Sequence, residues 1–128
     1  MDEKKKILIV EDEVDFAETM KTRLESAGYE VSVAADAYLG TSETVKGEPD
    51  LVLLDLMMPA GGGFALLKRI RNMPSKLSIP VVILTSSDLD EDAEMATQLG
   101  ADAFVLKTTR HEILLDVIER LLEKESKS

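Results

Sequence analysis

Three short runs, ILIV (Ile7–Val10), LVLL (Leu51–Leu54) and VVIL (Val81–Leu84), contain no polar residue and do not alternate. A strand with one wet face alternates apolar and polar residues, whereas a strand covered on both faces has no such need. The runs are therefore expected as central strands of a parallel sheet, and this constrains the fold more than any other feature of the chain. Two weaker runs complete the set. YEVSVA (Tyr29–Ala34) alternates and suits one edge of the sheet; DAFVLK (Asp102–Lys107) is half apolar and suits the other.

Parallel strands need crossover connections, and helical patterns lie between the runs. Val14, Ala17, Met20, Leu24 and Ala27 share one helical face, which Gly28 ends. Ala37 to Lys46 forms a second pattern, with Gly40 inside it and Gly47 after it. Phe64, Leu67 and Ile70 mark a third; Ala93, Ala96 and Leu99 mark a fourth, ended by Gly100. Ile113, Leu114, Val117, Ile118, Leu121 and Leu122 make the clearest apolar stripe, preceded by TRHE (Thr109–Glu112) with capping-box spacing. Strand and helix thus alternate five times. The expected fold is α/β: a flavodoxin-like (βα)5 doubly wound, parallel five-stranded sheet of order 2-1-3-4-5. It should form a single domain over residues 1–124, followed by a loose tail at residues 125–128.

Charge and composition narrow the function. The formal net charge is -10, from 25 acidic against 15 basic residues. Phosphate contacts need clustered Lys and Arg, so no direct nucleic-acid binding is expected. There is no Cys and a single His, which excludes disulfides and does not suit zinc. In MDEKKKILIV the basic stretch is followed by only four apolar residues before Glu11, too few for a signal-peptide core or a membrane span. A cytoplasmic chain without membrane contact is the expectation.

The residues that follow each strand carry the chemistry. Glu11 and Asp12 follow ILIV; Asp55 follows LVLL; Thr85, Ser86 and Ser87 follow VVIL; Lys107 follows FVL. In an all-parallel sheet every carboxyl end lies on one edge, where open α/β sheets bind ligands. Taken singly, each is an ordinary cap, turn or surface residue. Together they place three carboxylates, a hydroxyl and an ammonium at one crevice. Glu11, Asp12 and Asp55 would repel one another, and a hard divalent cation relieves this: Mg2+, with Mn2+ as an alternative. Such a cation also offsets the charge of an incoming phosphoryl group, whose oxygens Thr85 and Lys107 can hold, leaving Asp55 as nucleophile.

ILIVEDE, LVLLDLMMP, VVILTSS and FVLK, in that order, resemble the two-component response-regulator receiver domain over essentially the whole chain. The resemblance implies that Asp55 is the phosphoacceptor and Asp12 a direct Mg2+ ligand. Glu11 then acts through a bound water, and the backbone carbonyl of Met57 completes the protein's share of the metal shell. It implies that Thr85 contacts the phosphoryl group and Lys107 pairs with its oxygens. The donor is a phosphohistidine on a sensor histidine kinase or phosphotransfer protein, and the output is a downstream protein target. Thr85 and Phe104 form the implied switch, in which the aromatic ring turns inward behind the hydroxyl. The implied output face joins the fourth helix, fifth strand and fifth helix, and a phosphorylation-dependent dimer is compatible with it. A domain of this kind is not an enzyme; it catalyses only its own phosphorylation and dephosphorylation.

The chain departs from the family pattern in four places. Thr108 stands where Pro usually follows the lysine. Glu11 stands where Asp is commoner. AGGGF puts Gly62 where an Asp is frequent, and three glycines make that loop pliant. Met57 offers no side-chain donor to position water, so slow self-dephosphorylation is expected. His111 reads as a first-turn residue of the last helix rather than a phosphohistidine relay. The alternative function is a constitutive, phosphorylation-independent interaction module, with which Thr108 and Glu11 are consistent. A flavin- or nucleotide-binding enzyme would need a glycine-rich loop where EDEVDF stands. A phosphohydrolase with an aspartate nucleophile would need a second Asp where Met57 stands.

Overall fold

In the computed structural model, which describes residues 4–59, 62–76 and 78–127, five parallel strands form one sheet. They are β1 (Lys6–Val10), β2 (Glu30–Ala34), β3 (Leu51–Leu54), β4 (Val81–Thr85) and β5 (Ala103–Leu106), in the order β2-β1-β3-β4-β5. The connecting helices are α1 (Val14–Ser26), α2 (Ala37–Lys46), α3 (Gly62–Arg71) and α4 (Asp90–Gln98), and α5 (His111–Lys127) closes the chain. This is the expected flavodoxin-like (βα)5 arrangement in a single domain.

The absence of alternation in the central runs has a direct cause. Leu8, Val10, Val52, Leu54, Val81 and Ile83 enter one core cluster, with Leu66, Leu67 and Ile70 of α3 and Ala96 of α4. Their neighbours Ile7, Ile9, Leu51, Leu53, Val82 and Leu84 enter another, with Met20 and Leu24 of α1 and Leu114, Ile118 and Leu122 of α5. Successive side chains point to opposite faces, and both faces are covered. Helices α1 and α5 thus cover one face; α3 and α4 cover the other, with α2 packed beside α3.

Helix ends follow local chemistry. Asp36 caps α2 by accepting a hydrogen bond from the Leu39 N–H at 2.8 Å. Gly28 and Gly100, after α1 and α4, adopt left-handed φ values of 101° and 102°, as helix stops require. Three sequence expectations need correction. Val14 and Ile113 fall on apolar faces by periodicity, yet they are 69% and 50% exposed. Each stands at or near the first residue of its helix, at the sheet's carboxyl edge, where the buried stripe has not begun. The Arg110 carbonyl accepts hydrogen bonds from Ile113 and Leu114, so Arg110 rather than Thr109 stands at the cap of α5. Helical backbone also continues to Lys127, across most of the segment expected as a loose tail, because a helix anchored by Leu114, Ile118 and Leu122 propagates cheaply once nucleated. Among the described residues no helix is long and apolar enough to cross a membrane.

Candidate functional site: the acidic carboxyl edge

The sheet brings the strand ends into line. Val10 lies beside Leu54, Leu54 beside Ile83, and Ile83 beside Phe104. Hydrogen bonding continues one residue past the strands. The Glu11 N–H donates to the Ala34 carbonyl at 3.0 Å and the Asp55 N–H to the Val10 carbonyl at 3.1 Å. The Lys107 N–H donates to the Thr85 carbonyl at 2.8 Å. Three charged residues from separate strands therefore start from backbone as fixed as the sheet itself.

Their side chains meet. Glu11 and Asp55 are buried, each 3% exposed, while Asp12 reaches solvent. Carboxylate oxygens of Glu11, Asp12 and Asp55 all lie within 4.8 Å of one another. The Lys107 ammonium sits 2.8 Å from Glu11 Oε1, 3.0 Å from Glu13 Oε1 and 3.5 Å from Asp55 Oδ2. The Met57 N–H donates to Asp55 Oδ1 at 3.0 Å, and the Glu13 N–H donates to Glu11 Oε2 at 3.1 Å.

One ammonium does not satisfy this many acids. Burial pushes the Glu11 carboxyl up to about 7, and the charge of Asp55 adds to the rise, against the pull of Lys107 and the Glu13 N–H. Burial also opposes the charge on Lys107, but its bonds to Glu11 and Glu13 and the charge of Asp55 outweigh this and hold it at about 12. The ammonium is locked on, and the carboxylates remain in excess. The candidate ligand atoms are all carboxylate oxygens, with one group open to water. That donor set fits a hard divalent cation such as Mg2+, which binds one or two carboxylates and keeps several waters.

Thr85 is fully buried at the end of β4, and its hydroxyl accepts a hydrogen bond from the Ser87 N–H at 3.4 Å. The Ser87 hydroxyl in turn donates to Asp92 in the first turn of α4. Phe104 is half-buried in β5 beside Ile83 and packs on the core cluster beneath α3 and α4. The Met57 side chain is 55% exposed. His111 opens α5, as expected. No peptide bond among the described residues is cis, so Thr108 follows Lys107 through a trans bond.

Sequence reasoning missed two contacts. Glu13 pairs with Lys107 across 94 residues of chain, and the Phe16 ring lies 4.6 Å from the same ammonium, a cation–π distance. The pliancy expected after Pro59 falls partly on Ala60 and Gly61, which lie outside the described residues; Gly63, in α3, has a packing reason of its own. A Cβ there would stand 2.5 Å from both the Asp55 carbonyl oxygen and Leu56 Cα. The first turn of α3 rests directly on the peptide that carries Asp55.

Comparison with known proteins agrees with this geometry. Residues 7–119 match the family described as the response regulator receiver domain. The chain is 34% identical over 119 residues to the DNA-binding dual master transcriptional regulator RpaA of Synechocystis, covering 93% of this chain and 49% of that protein. It thus spans about half the length of the curated relatives it matches. Among solved structures, a CheY-like receiver domain protein from Methanospirillum hungatei superposes with a TM-score of 0.90 at 29% identity, covering 98% of both chains. The BeF3-activated N-terminal receiver domain of RstA from Klebsiella pneumoniae gives 0.86 at 30% identity, covering 92% of this chain and 98% of that one.

Proposed function

Because this chain belongs to the response regulator receiver domain family, we propose that it is a phosphorylatable signalling switch whose phosphoacceptor is Asp55. The observation that carries this reading is the meeting of Glu11, Asp12, Asp55 and Lys107 in one pocket. Asp12 and Asp55, the Met57 carbonyl and, through water, Glu11 would hold Mg2+. When bound, the cation supplies positive charge that offsets repulsion between the carboxylates and the phosphoryl group.

The transfer is a displacement at phosphorus. An oxygen of Asp55 forms the new P–O bond, and the P–N bond to a partner's phosphohistidine breaks. The imidazole keeps that electron pair and takes up a proton. The Met57 N–H fixes Asp55 Oδ1 and so orients the carboxylate, while Lys107 moves from the acids onto the phosphoryl oxygens. The Thr85 hydroxyl donates its O–H to another oxygen, a bond compatible with the one its lone pair accepts from the Ser87 N–H. Phe104 then packs inward behind it, changing the face made by α4, β5 and α5. Phe lacks a hydroxyl, so packing alone carries this signal.

The donor is a sensor histidine kinase or phosphotransfer protein, and the reader of the switched face is a downstream protein, with dimerisation on phosphorylation as one form of that output. Residues 1–124 act as the receiver unit. The relative's DNA-binding role belongs to a protein about twice this length, and the acidity of this chain opposes direct contact with nucleic acid.

Incubation with Mg2+ and acetyl phosphate tests the reading by intact mass. One added phosphoryl group is expected, dependent on Mg2+ and lost in Asp55→Ala. An unmodified wild-type protein would leave a constitutive interaction module as the function.

A further inference from the structure

The Lys107 ammonium is nearer to Glu11 and Glu13, at 2.8 and 3.0 Å, than to Asp55, at 3.5 Å. Glu11 is buried and belongs to the acidic trio, so its claim on the ammonium comes with the site. Glu13 is different. Its side chain is 67% exposed, it lies just before α1, and its carboxylate is outside the trio that could hold a cation. The ring of Phe16, one turn further on, flanks the ammonium at 4.6 Å. Lys107 is thus drawn toward the start of α1 by an exposed acid and an aromatic face. Of the three acids it touches, its longest contact is with the carboxylate it is expected to serve.

We infer that Glu13 is a positioning residue that restrains Lys107: its carboxylate competes with the phosphoryl group for the ammonium. The inference rests on the phosphoacceptor reading of Asp55. Phosphorylation requires Lys107 to exchange Glu13 for a phosphoryl oxygen, so the strength of this contact tunes both the rate of uptake and the lifetime of the product. Glu13 acts only through Lys107 and touches no reacting atom. An exposed ion pair is weak, which makes it a suitable rheostat, because competition from a dianionic phosphoryl group overcomes it.

The test measures the acetyl-phosphate phosphorylation rate at saturating Mg2+, together with the apparent affinity for beryllofluoride. Wild type, Glu13→Gln, Lys107→Ala and the double variant are compared. Asp15→Asn, which removes one charge from the first turn of α1, is the control. Glu13→Gln should raise both quantities about two- to fivefold, the range set by an exposed ion pair. The gain should vanish in the Lys107→Ala background and be absent in Asp15→Asn. An equal gain with and without Lys107, or in the control, would show a general effect of charge and overturn the restraint. A lower rate in Glu13→Gln would overturn it too, by showing that Glu13 holds Lys107 productively. Failure of the wild type to take up phosphoryl would instead remove the phosphoacceptor reading, and the restraint with it.

Discussion

The two edges of the sheet each carry an ionic cluster, and the clusters are built on opposite rules. At the amino edge, Arg71 of α3 donates to the carbonyls of Gly100 and Ile79 at 2.8 Å, to Lys76 at 3.3 Å, and to Asp102 Oδ2 at 2.7 Å. Asp102 also accepts the Val81 N–H at 2.8 Å, before the first residue of β5. One cation meets one carboxylate, and neighbouring carbonyls take three more of its donors. At the carboxyl edge, one ammonium faces Glu11, Glu13 and Asp55, and Asp12 lies close by. The first cluster is complete, and it joins the end of α3 to the turn at Pro74–Lys76 and to the starts of β4 and β5. The second is short of positive charge. A satisfied polar network rigidifies a fold, whereas an unsatisfied one stores free energy that a ligand can release. The same fold thus balances charge at one edge and leaves it unbalanced at the other, as the proposed cation and phosphoryl site requires.

Substitutions can break this contrast, and the largest effect is expected at the amino edge. Arg71→Ala leaves Asp102 with only the Val81 N–H as donor and removes the Arg71 donors from the Gly100, Ile79 and Lys76 carbonyls, and should cost about 1–3 kcal/mol of stability in urea unfolding. Its acetyl-phosphate phosphorylation should stay near the wild-type rate. An Arg71 variant as stable as wild type would mean that the amino-edge cluster is decoration. At the carboxyl edge the sign reverses. Asp55→Asn removes one of the crowded carboxylates while keeping its shape, and should stabilise the Mg2+-free protein by about 0.5–2 kcal/mol as phosphoryl uptake is lost. A destabilised Asp55→Asn would place both clusters in the same structural class.

The smallest effect concerns lifetime. Met57 places an exposed thioether beside the acidic pocket, with no group to position an attacking water. Met57→Asn should shorten the half-life of the phosphorylated protein by up to about tenfold, followed as loss of the phosphoryl mass. An equal or longer half-life in the variant would remove Met57 from any account of the decay.

Which parts of this were legible in the sequence follows from the same contrast. The strands were readable because burial on both faces removes alternation, and α2 was readable to its ends, Ala37 and Lys46. The convergence of Glu11, Asp12, Asp55 and Lys107 was readable because parallel topology puts every strand's carboxyl end on one edge. Glu13 was not, since beside two other acids it looks like surface charge, and its partner lies 94 residues away. Arg71 was not, because most of its acceptors are backbone carbonyls, which leave no mark in a sequence. Val14 and Ile113 misled because periodicity identifies the face of a helix but not how far along that face the core extends.

The contact beneath Gly63 sets where the molecule can give way. With no Gly63 side chain between the first turn of α3 and the Asp55–Leu56 peptide, there is no compressible layer behind the Asp55 carboxylate, and packed backbone yields little. If Asp55 takes a phosphoryl group as proposed, the displacement should therefore run forward, into the β4–α4 loop and the residues after β5, where hydrogen bonds can be exchanged one for another. The anvil is fixed, and the blow shapes whatever lies in front of it.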